Sequence, residues 1–366
     1  MQRLPAARVV TPTRITGPAV VSIDGSRIVG IEPTRESVPD RTIAPGFVDL
    51  QVNGIGAIDI AAASGEDWDE LDTALLAQGV TTWCPTLVTA PLDAYAAPLE
   101  RVAWAAARQR DHDRVRPSIA GAHLEGPFLG GAPGAHPAQL IRPPDGAWLA
   151  ALPPIVKVVT LAPEAAGAID TIEALRDRHV LVSMGHSTAT YEEATRAIDA
   201  GARLVTHCFN GMAPLHHREP GLLGAALTDD RVSVSLIADL VHVHPAAIAL
   251  AFRAKRQGRL ALVTDAVAWQ RGTVGEVRMT FDGSAPRLAD GTLAGSALTM
   301  DAALRNVVQH CGVSLLDAVH AATATPAGLL GLEDRGEILP GRRADLVALT
   351  PDLEVERTWV GGREAG

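Results

Sequence analysis

The middle of the chain repeats one pattern. A short run rich in Val, Leu and Ile is followed by polar punctuation, and then by an Ala-rich stretch with helical spacing. The apolar runs predict strands over 46–52, 81–88, 118–124, 156–161, 181–185, 204–208, 233–238 and 261–264. Helical patterns fall between several of them, over 68–78, 96–108, 168–178, 191–200 and 245–257. Apolar strands alternating with helices indicate a parallel sheet covered on both faces. Eight such strands over roughly 280 residues fit a (β/α)₈ barrel, with a doubly wound open sheet as the competing arrangement.

Both ends read differently. Residues up to 43 alternate apolar and polar positions, as in Ala19-Val-Val-Ser-Ile-Asp24, with a turn signal at Asp24-Gly25. The stretch 336–366 does the same in Ala344-Asp-Leu-Val-Ala-Leu349 and Glu356-Arg-Thr-Trp-Val-Gly-Gly362. The expected organisation is a small β-sandwich built from both termini, 1–43 and 336–366, flanking a barrel over 44–335.

Composition narrows the function. The chain has 366 residues, 47% of them hydrophobic, which is enough for one large core and a satellite domain. A formal net charge of −10 offers no basic stripe for nucleic acid. Any anionic ligand must therefore be held by a local group of cations. The cysteines, Cys84, Cys208 and Cys311, are odd in number and widely spaced, so no disulfide framework is expected and a reducing cytoplasm is the simplest location. The N-terminus lacks a signal-type apolar run, and no long uncharged apolar stretch predicts a membrane span.

In a barrel of this kind the active site lies at the C-terminal ends of the strands. The first strand ends in Gln51-Val-Asn53 and the third in His123-Leu-Glu125. The fifth ends in Gly185-His186-Ser187, and the sixth in Thr206-His207-Cys-Phe-Asn210. The seventh runs into Asp239 and His242, and the eighth ends in Thr264-Asp265. Glu125, His186 and His207 make a plausible zinc triad, one carboxylate and two imidazoles with a position left open for water. Asp265 would stand opposite as general base and then acid. Taken singly, each has a plainer reading, since a lone histidine is usually a hydrogen-bonded structural group and a lone Asp after a strand is commonly a helix cap. Their placement at successive strand ends favours the metal reading. Lys157 lies near the start of its strand and reads as structural. His112, His179, His310 and His320 read as surface groups.

The chain resembles the N-acetylglucosamine-6-phosphate deacetylases of the amidohydrolase superfamily over nearly its whole length. The resemblance rests on Ala44-Pro-Gly-Phe-Val-Asp-Leu-Gln-Val-Asn-Gly54, His123-Leu-Glu-Gly-Pro-Phe128, Gly134-Ala-His-Pro137 and Gly185-His-Ser-Thr-Ala-Thr190. It continues through Thr206-His-Cys-Phe-Asn-Gly-Met212, His216-His-Arg-Glu-Pro-Gly221, Leu262-Val-Thr-Asp265 and Leu293-Ala-Gly-Ser-Ala-Leu-Thr-Met300. It implies that Glu125, His186 and His207 bind the metal and that Asp265 activates water and then protonates the leaving amine. It further implies that Ala135 and His136 border the substrate, with His136 contacting the acetyl carbonyl or its oxyanion. Asn210 and Gly211 would help hold a phosphate, and His242, Leu293, Ala294 and Gly295 would line the sugar pocket. Arg218 would grip the phosphate, an arginine that a neighbouring subunit can supply, which implies a homodimer. Some relatives carry His-x-His on the first strand and hold two metals. Here Gln51 and Asn53 stand there, so one ion is expected, zinc first, with iron, cobalt or manganese open to the same ligands. Gln51 and Asn53 are left to hydrogen-bond the substrate or orient a ligand.

Two departures bear on the substrate. Leu240 replaces the glycine usual after the strand-seven aspartate; it is expected to resist a left-handed turn and to crowd the pocket, or else to be a neutral change. The segment 267–288, shorter than usual, is a candidate lid. Other amide hydrolases, acting on N-acyl amino acids or cyclic amides, and a barrel without catalysis are the competing readings.

Overall fold

The computed structural model describes residues 1–108, 114–255, 258–275 and 277–366. His112 and the last two residues of the 245–257 helical pattern lie outside the described residues.

Eight parallel strands form the barrel: Phe47–Val52, Val80–Val88, Ala122–Glu125, Val156–Leu161, Leu181–Met184, Leu204–Val205, Ser233–Ile237 and Leu260–Val263. They are numbered 1 to 8 below. A two-residue strand, Ser118–Ile119, precedes strand 3 and pairs with strand 2. Strand 8 returns to strand 1 at its C-terminal end. There Asp265 N–H donates to Gln51 O at 3.0 Å and Asn53 N–H to Ala266 O at 2.8 Å. That closure excludes the open doubly wound sheet.

Local signals account for several elements. The helix Tyr191–Ala200 starts at a capping box, with Thr190 and Glu193 satisfying each other's backbone N–H groups. The helix Pro245–Ala254 begins with proline at its first position, where no amide donor is needed. Strands 1 and 2 approach closely beside Gly46, where any side chain would collide with Thr81. Helices that sequence patterning passes over also pack on the barrel. Gly221–Thr228 is apolar nearly all round and six of its eight residues are buried, so it shows no amphipathic period.

The two ends of the chain meet as a sandwich. One sheet joins Gln2–Ala6, Ala19–Asp24 and Arg27–Pro33. The other runs in the order Arg363–Glu364, Val355–Val360, Leu346–Leu349, Thr42–Pro45, Arg8–Val10, Ile15–Thr16. Leu4, Val21, Ile28, Ile43, Leu346 and Trp359 fill the space between them. The strand Thr42–Pro45 therefore leads straight from the sandwich into strand 1, which fixes the barrel beneath it.

Inside the barrel the layer below the mouth is polar. His123 Nε2 meets Thr160 Oγ1 at 2.7 Å, Thr160 meets Thr206 at 2.7 Å, and Thr206 meets Ser183 at 2.6 Å. Burial holds His123 down at about 4, so the ring is neutral.

Candidate active site

Three strand ends present their side chains in the same way. His186, His207 and Asp265 follow strands 5, 6 and 8 with φ of 50°, 31° and 49°. This left-handed conformation is uncommon outside glycine and costs on the order of 1–3 kcal/mol per residue. It follows the end of each strand, and the side chains of all three residues stand on the wall of the cavity at the mouth. Asp265 is clamped from both sides: Ser296 N–H donates to its carbonyl at 2.9 Å and its own N–H donates to Gln51.

The four residues converge. Glu125 Oε1 lies 3.1 Å from His186 Nε2 and 2.9 Å from His207 Nε2, and the two Nε2 atoms are 3.0 Å apart. His186 Nδ1 faces Ala132 O and His207 Nδ1 faces Asn210 O, each at 3.2 Å. A carbonyl accepts only from a protonated nitrogen, which leaves both Nε2 atoms as lone-pair donors. Three electron-rich atoms in a triangle with 2.9–3.1 Å sides match the roughly 3.3 Å ligand spacing around a tetrahedral ion with 2.0–2.1 Å bonds. These residues fit a divalent metal. His136 approaches the same carboxylate from its other oxygen, Nε2 to Oε2 3.9 Å, so Glu125, His136 and His186 form an overlapping but looser group.

Electrostatics agree with the crowding. Burial opposes charge on Glu125, yet the contacts with His186 and His207 prevail and hold its carboxyl well below the usual range. Burial disfavours charge on His207 as well, but the Glu125 carboxylate outweighs it and raises the imidazole. Asp265 is pushed up to about 8, by burial first and then by the Glu125 charge. His136 falls to about 3 through burial and the neighbouring His186.

Gln51 and Asn53 tie the acids together. Gln51 Nε2 donates to Glu125 Oε1 and to Asp265 Oδ1, both at 2.9 Å, and Asn53 Nδ2 donates to Asp265 Oδ1 at 2.7 Å. Gln51 does not reach the cavity wall, whereas Asn53 does.

The cavity above these groups measures about 200 Å³. Ala135, His136, Asn210, Gly211, His242, Leu293, Ala294 and Gly295 all stand on its wall, together with Glu125, His186, His207 and Asp265. Gly211 is required where it is, because a side chain there would lie 2.8 Å from His186 Nδ1. His242 is fixed by Asp239, whose carboxylate meets Nδ1 at 2.6 Å. Arg218 is not on the wall; it is exposed, with Nη1 2.9 Å from His217 Nε2. No arginine or lysine lines the cavity among the described residues.

Leu240 departs from expectation on both counts. It takes the left-handed turn, φ 64°, and its half-buried side chain packs on the main core and not on the cavity wall. The expected lid contributes Val267, Val274 and Met279, which cluster with Ala294 over the mouth. Lys157 is exposed at the start of strand 4, away from the cavity. His179 and His310 are exposed, but His320 is half-buried and its imidazole is lowered by burial.

Sequence reading passed over two supporting groups. Glu164, beyond the end of strand 4, accepts from Ser187 Oγ at 2.6 Å, Thr188 N–H at 2.7 Å and Gly131 N–H at 3.2 Å. It thereby joins the loop of His186 to the loop leading to His136. Thr89, beyond strand 2, meets His136 Nδ1 at 2.8 Å. Both sit where a strand-end survey would find them, at strands that carry no metal-type residue to draw attention.

A barrel closed over a polar layer, with a carboxylate and two imidazoles gathered opposite an acid, defines a metal-site hydrolase scaffold. Residues 42–365 match the amidohydrolase family, and the chain belongs to it. It is 40% identical over 352 residues to the N-acetylgalactosamine-6-phosphate deacetylase of Escherichia coli O157:H7, covering 92% of each chain. It is 37% identical over 351 residues to the human N-acetylglucosamine-6-phosphate deacetylase, covering 90% of this chain and 84% of that one. Among solved structures, the N-acetylglucosamine-6-phosphate deacetylase of Thermotoga maritima superposes with a TM-score of 0.92 at 33% identity, covering 99% of both chains. A mutant of the Mycobacterium smegmatis enzyme in complex with N-acetyl-D-glucosamine-6-phosphate superposes with a TM-score of 0.90 at 34% identity, covering 99% of this chain and 98% of that one.

Proposed function

We propose that the chain is a metal-dependent deacetylase that hydrolyses N-acetylglucosamine 6-phosphate to glucosamine 6-phosphate and acetate. The observation that carries this reading is the triangle of Glu125 Oε1, His186 Nε2 and His207 Nε2, with Asp265 across from it on the same cavity.

Glu125, His186 and His207 would hold one divalent ion, zinc first, with iron, cobalt and manganese as the other metals this ligand set takes. When bound, the ion supplies Lewis acidity toward water and the amide carbonyl. The amide of Gln51 supports a single ion, because its N–H donors occupy the space between Glu125 and Asp265 and offer no lone pair there. Asp265 Oδ1 accepts from Gln51 and Asn53, and its second oxygen would take the proton of the attacking water and return it to the departing nitrogen. His136, oriented through Thr89, would meet the acetyl oxygen as negative charge develops. His242, Ala135 and the Leu293, Ala294 and Gly295 segment would border the sugar.

Asn210 and Gly211 would hold the phosphate together with Arg218. Since this cavity has no cation of its own among the described residues, the reading includes a homodimer in which Arg218 reaches across to the neighbouring site. The division into 1–43, 44–335 and 336–366 and a cytoplasmic location belong to the same proposal. Among the described residues no helix is long and apolar enough to cross a membrane.

A second reading has its own support. The 40% identical relative is named for the galacto sugar, which differs at one hydroxyl of the ring. An amine-release assay on both N-acetylhexosamine 6-phosphates and on unphosphorylated N-acetylglucosamine tests the choice. The expected order is the gluco phosphate first and the unphosphorylated sugar last. A galacto preference moves the assignment to the second reading. No release from either phosphate defeats the deacetylase proposal.

A further inference from the structure

A second cleft, of about 530 Å³, opens where the sandwich meets the N-terminal end of the strand Ser118–Ile119. Five arginines stand on its wall: Arg27, Arg114, Arg116, Arg343 and Arg363. Ser26 and Ser118 add hydroxyls, and among the described residues no carboxylate lines it. In a chain of net charge −10 such a gathering is not set by composition.

The rim is built from turns of both termini. Ala344 N–H donates to Ser26 O at 2.9 Å, Gly362 N–H to Ala344 O at 2.8 Å and Ile28 N–H to Arg342 O at 2.9 Å. Arg27 and Arg343 form an isolated antiparallel bridge, which puts their side chains on one face. Like charges placed opposite each other are unfavourable in that position. The acidic partners stand behind the arginines. Arg343 Nε lies 2.9 Å from the buried Asp345, while its Nη1 donates to Ser118 Oγ at 3.1 Å. Arg114 Nη1 lies 2.8 Å from Asp69. Arg116 Nε lies 3.6 Å from Asp72, and Arg27 Nη1 donates to Gly341 O at 3.0 Å. The carboxylates that hold Arg343, Arg114 and Arg116 are not on the wall of the cleft.

We propose that this cleft binds a compact polyanion, a small metabolite carrying two or more phosphoryl groups. Planar guanidinium groups take phosphate oxygens in pairs, and several around one cavity select multiple charges over one. The volume is that of a small-molecule site. Among the described residues the wall carries no aromatic ring on which a nucleobase would stack, so recognition falls on the phosphates. This inference is independent of the reaction at the barrel mouth.

The test is calorimetric titration of the metal-loaded, full-length protein with tripolyphosphate at near-physiological salt. Inorganic phosphate and ATP are titrated in parallel. The same titrations are made on a triple variant, Arg27→Gln with Arg114→Gln and Arg363→Gln, whose substituted side chains are exposed. Saturable tripolyphosphate binding is expected, with orthophosphate weaker and ATP no tighter. The triple variant is expected to lose about tenfold or more in affinity, the worth of one charge-assisted contact. Its metal content and thermal midpoint are expected to match the parent's. No saturable binding, undiminished binding in the triple variant, or ATP bound tenfold more tightly than tripolyphosphate overturns the proposal.

Discussion

At the mouth of the barrel two buried carboxylates, Glu125 and Asp265, share one amide donor, and no arginine or lysine stands on the cavity wall among the described residues. At the opposite end five arginines share a cleft that no described carboxylate lines. The mouth is also the strained end, with His186, His207, Asp265 and Leu240 all in left-handed conformation. The difference teaches what each end lacks. A mouth lined by acids and imidazole lone pairs suits a cation, and among the described residues no arginine or lysine on its wall would balance a phosphate. The arginine cleft has cations in excess and suits an anion.

The largest effect is expected from Asp265→Asn, which keeps the shape of the mouth and removes its acid. General acid–base groups contribute about 10²–10⁴-fold, so kcat should fall by that range with metal content unchanged. A loss below about tenfold would mean that Asp265 does not move the proton. Next is Arg218→Ala. Removing one charge-assisted phosphate contact costs about 1.5–3 kcal/mol, so KM for a phosphorylated substrate should rise roughly 10- to 150-fold, with the unphosphorylated sugar unaffected. Equal effects on both substrates would break the claim that the mouth borrows its cation.

A smaller effect is expected below the mouth, at Asp49. Burial pushes its carboxyl up to about 7, although Thr264 and Gln51 donate hydrogen bonds to it. The unfolded chain releases this proton near pH 4, and the native state holds it until about pH 7. The folded pKa is therefore the higher one, so the group's stabilising contribution is full below pH 4 and is lost as pH rises through that window. Asp49→Asn should gain on the parent in urea stability between pH 5 and pH 8, by up to ~1.4 kcal/mol per pH unit inside the window. Parallel pH profiles for the two proteins would contradict this.

The smallest effect is expected from Leu240→Gly. Relief of the left-handed turn is worth ~1–2 kcal/mol, and lost chain entropy and side-chain burial offset it, for a net change within about 1 kcal/mol. KM should not change, because Leu240 stands off the cavity wall. A shift in KM would return Leu240 to the pocket, and thermal unfolding beside steady-state kinetics decides it.

Much of this was legible in the sequence. Strands 1, 2, 4, 7 and 8 announce themselves as Val- and Leu-rich runs, and all four residues of the central cluster stand at or just after strand ends, where barrels gather function. Strand 6 is shorter than its apolar run because His207 and Phe209 turn left-handed straight after it. No periodicity encodes that turn. Glu164 and Thr89 follow strands 4 and 2, but the loops they hold, those of His186 and His136, meet them only in the folded chain. The five arginines lie 336 positions apart at the extremes, Arg27 to Arg363, and only the sandwich brings them to one cleft.

The central claim is that Glu125, His186 and His207 hold one divalent ion. Metal analysis of the purified parent and of His207→Ala tests it most directly. About one ion per chain in the parent and close to none in the variant is the predicted result for a three-ligand site. Equal metal content in the two proteins, or about two ions per chain in the parent, would contradict it.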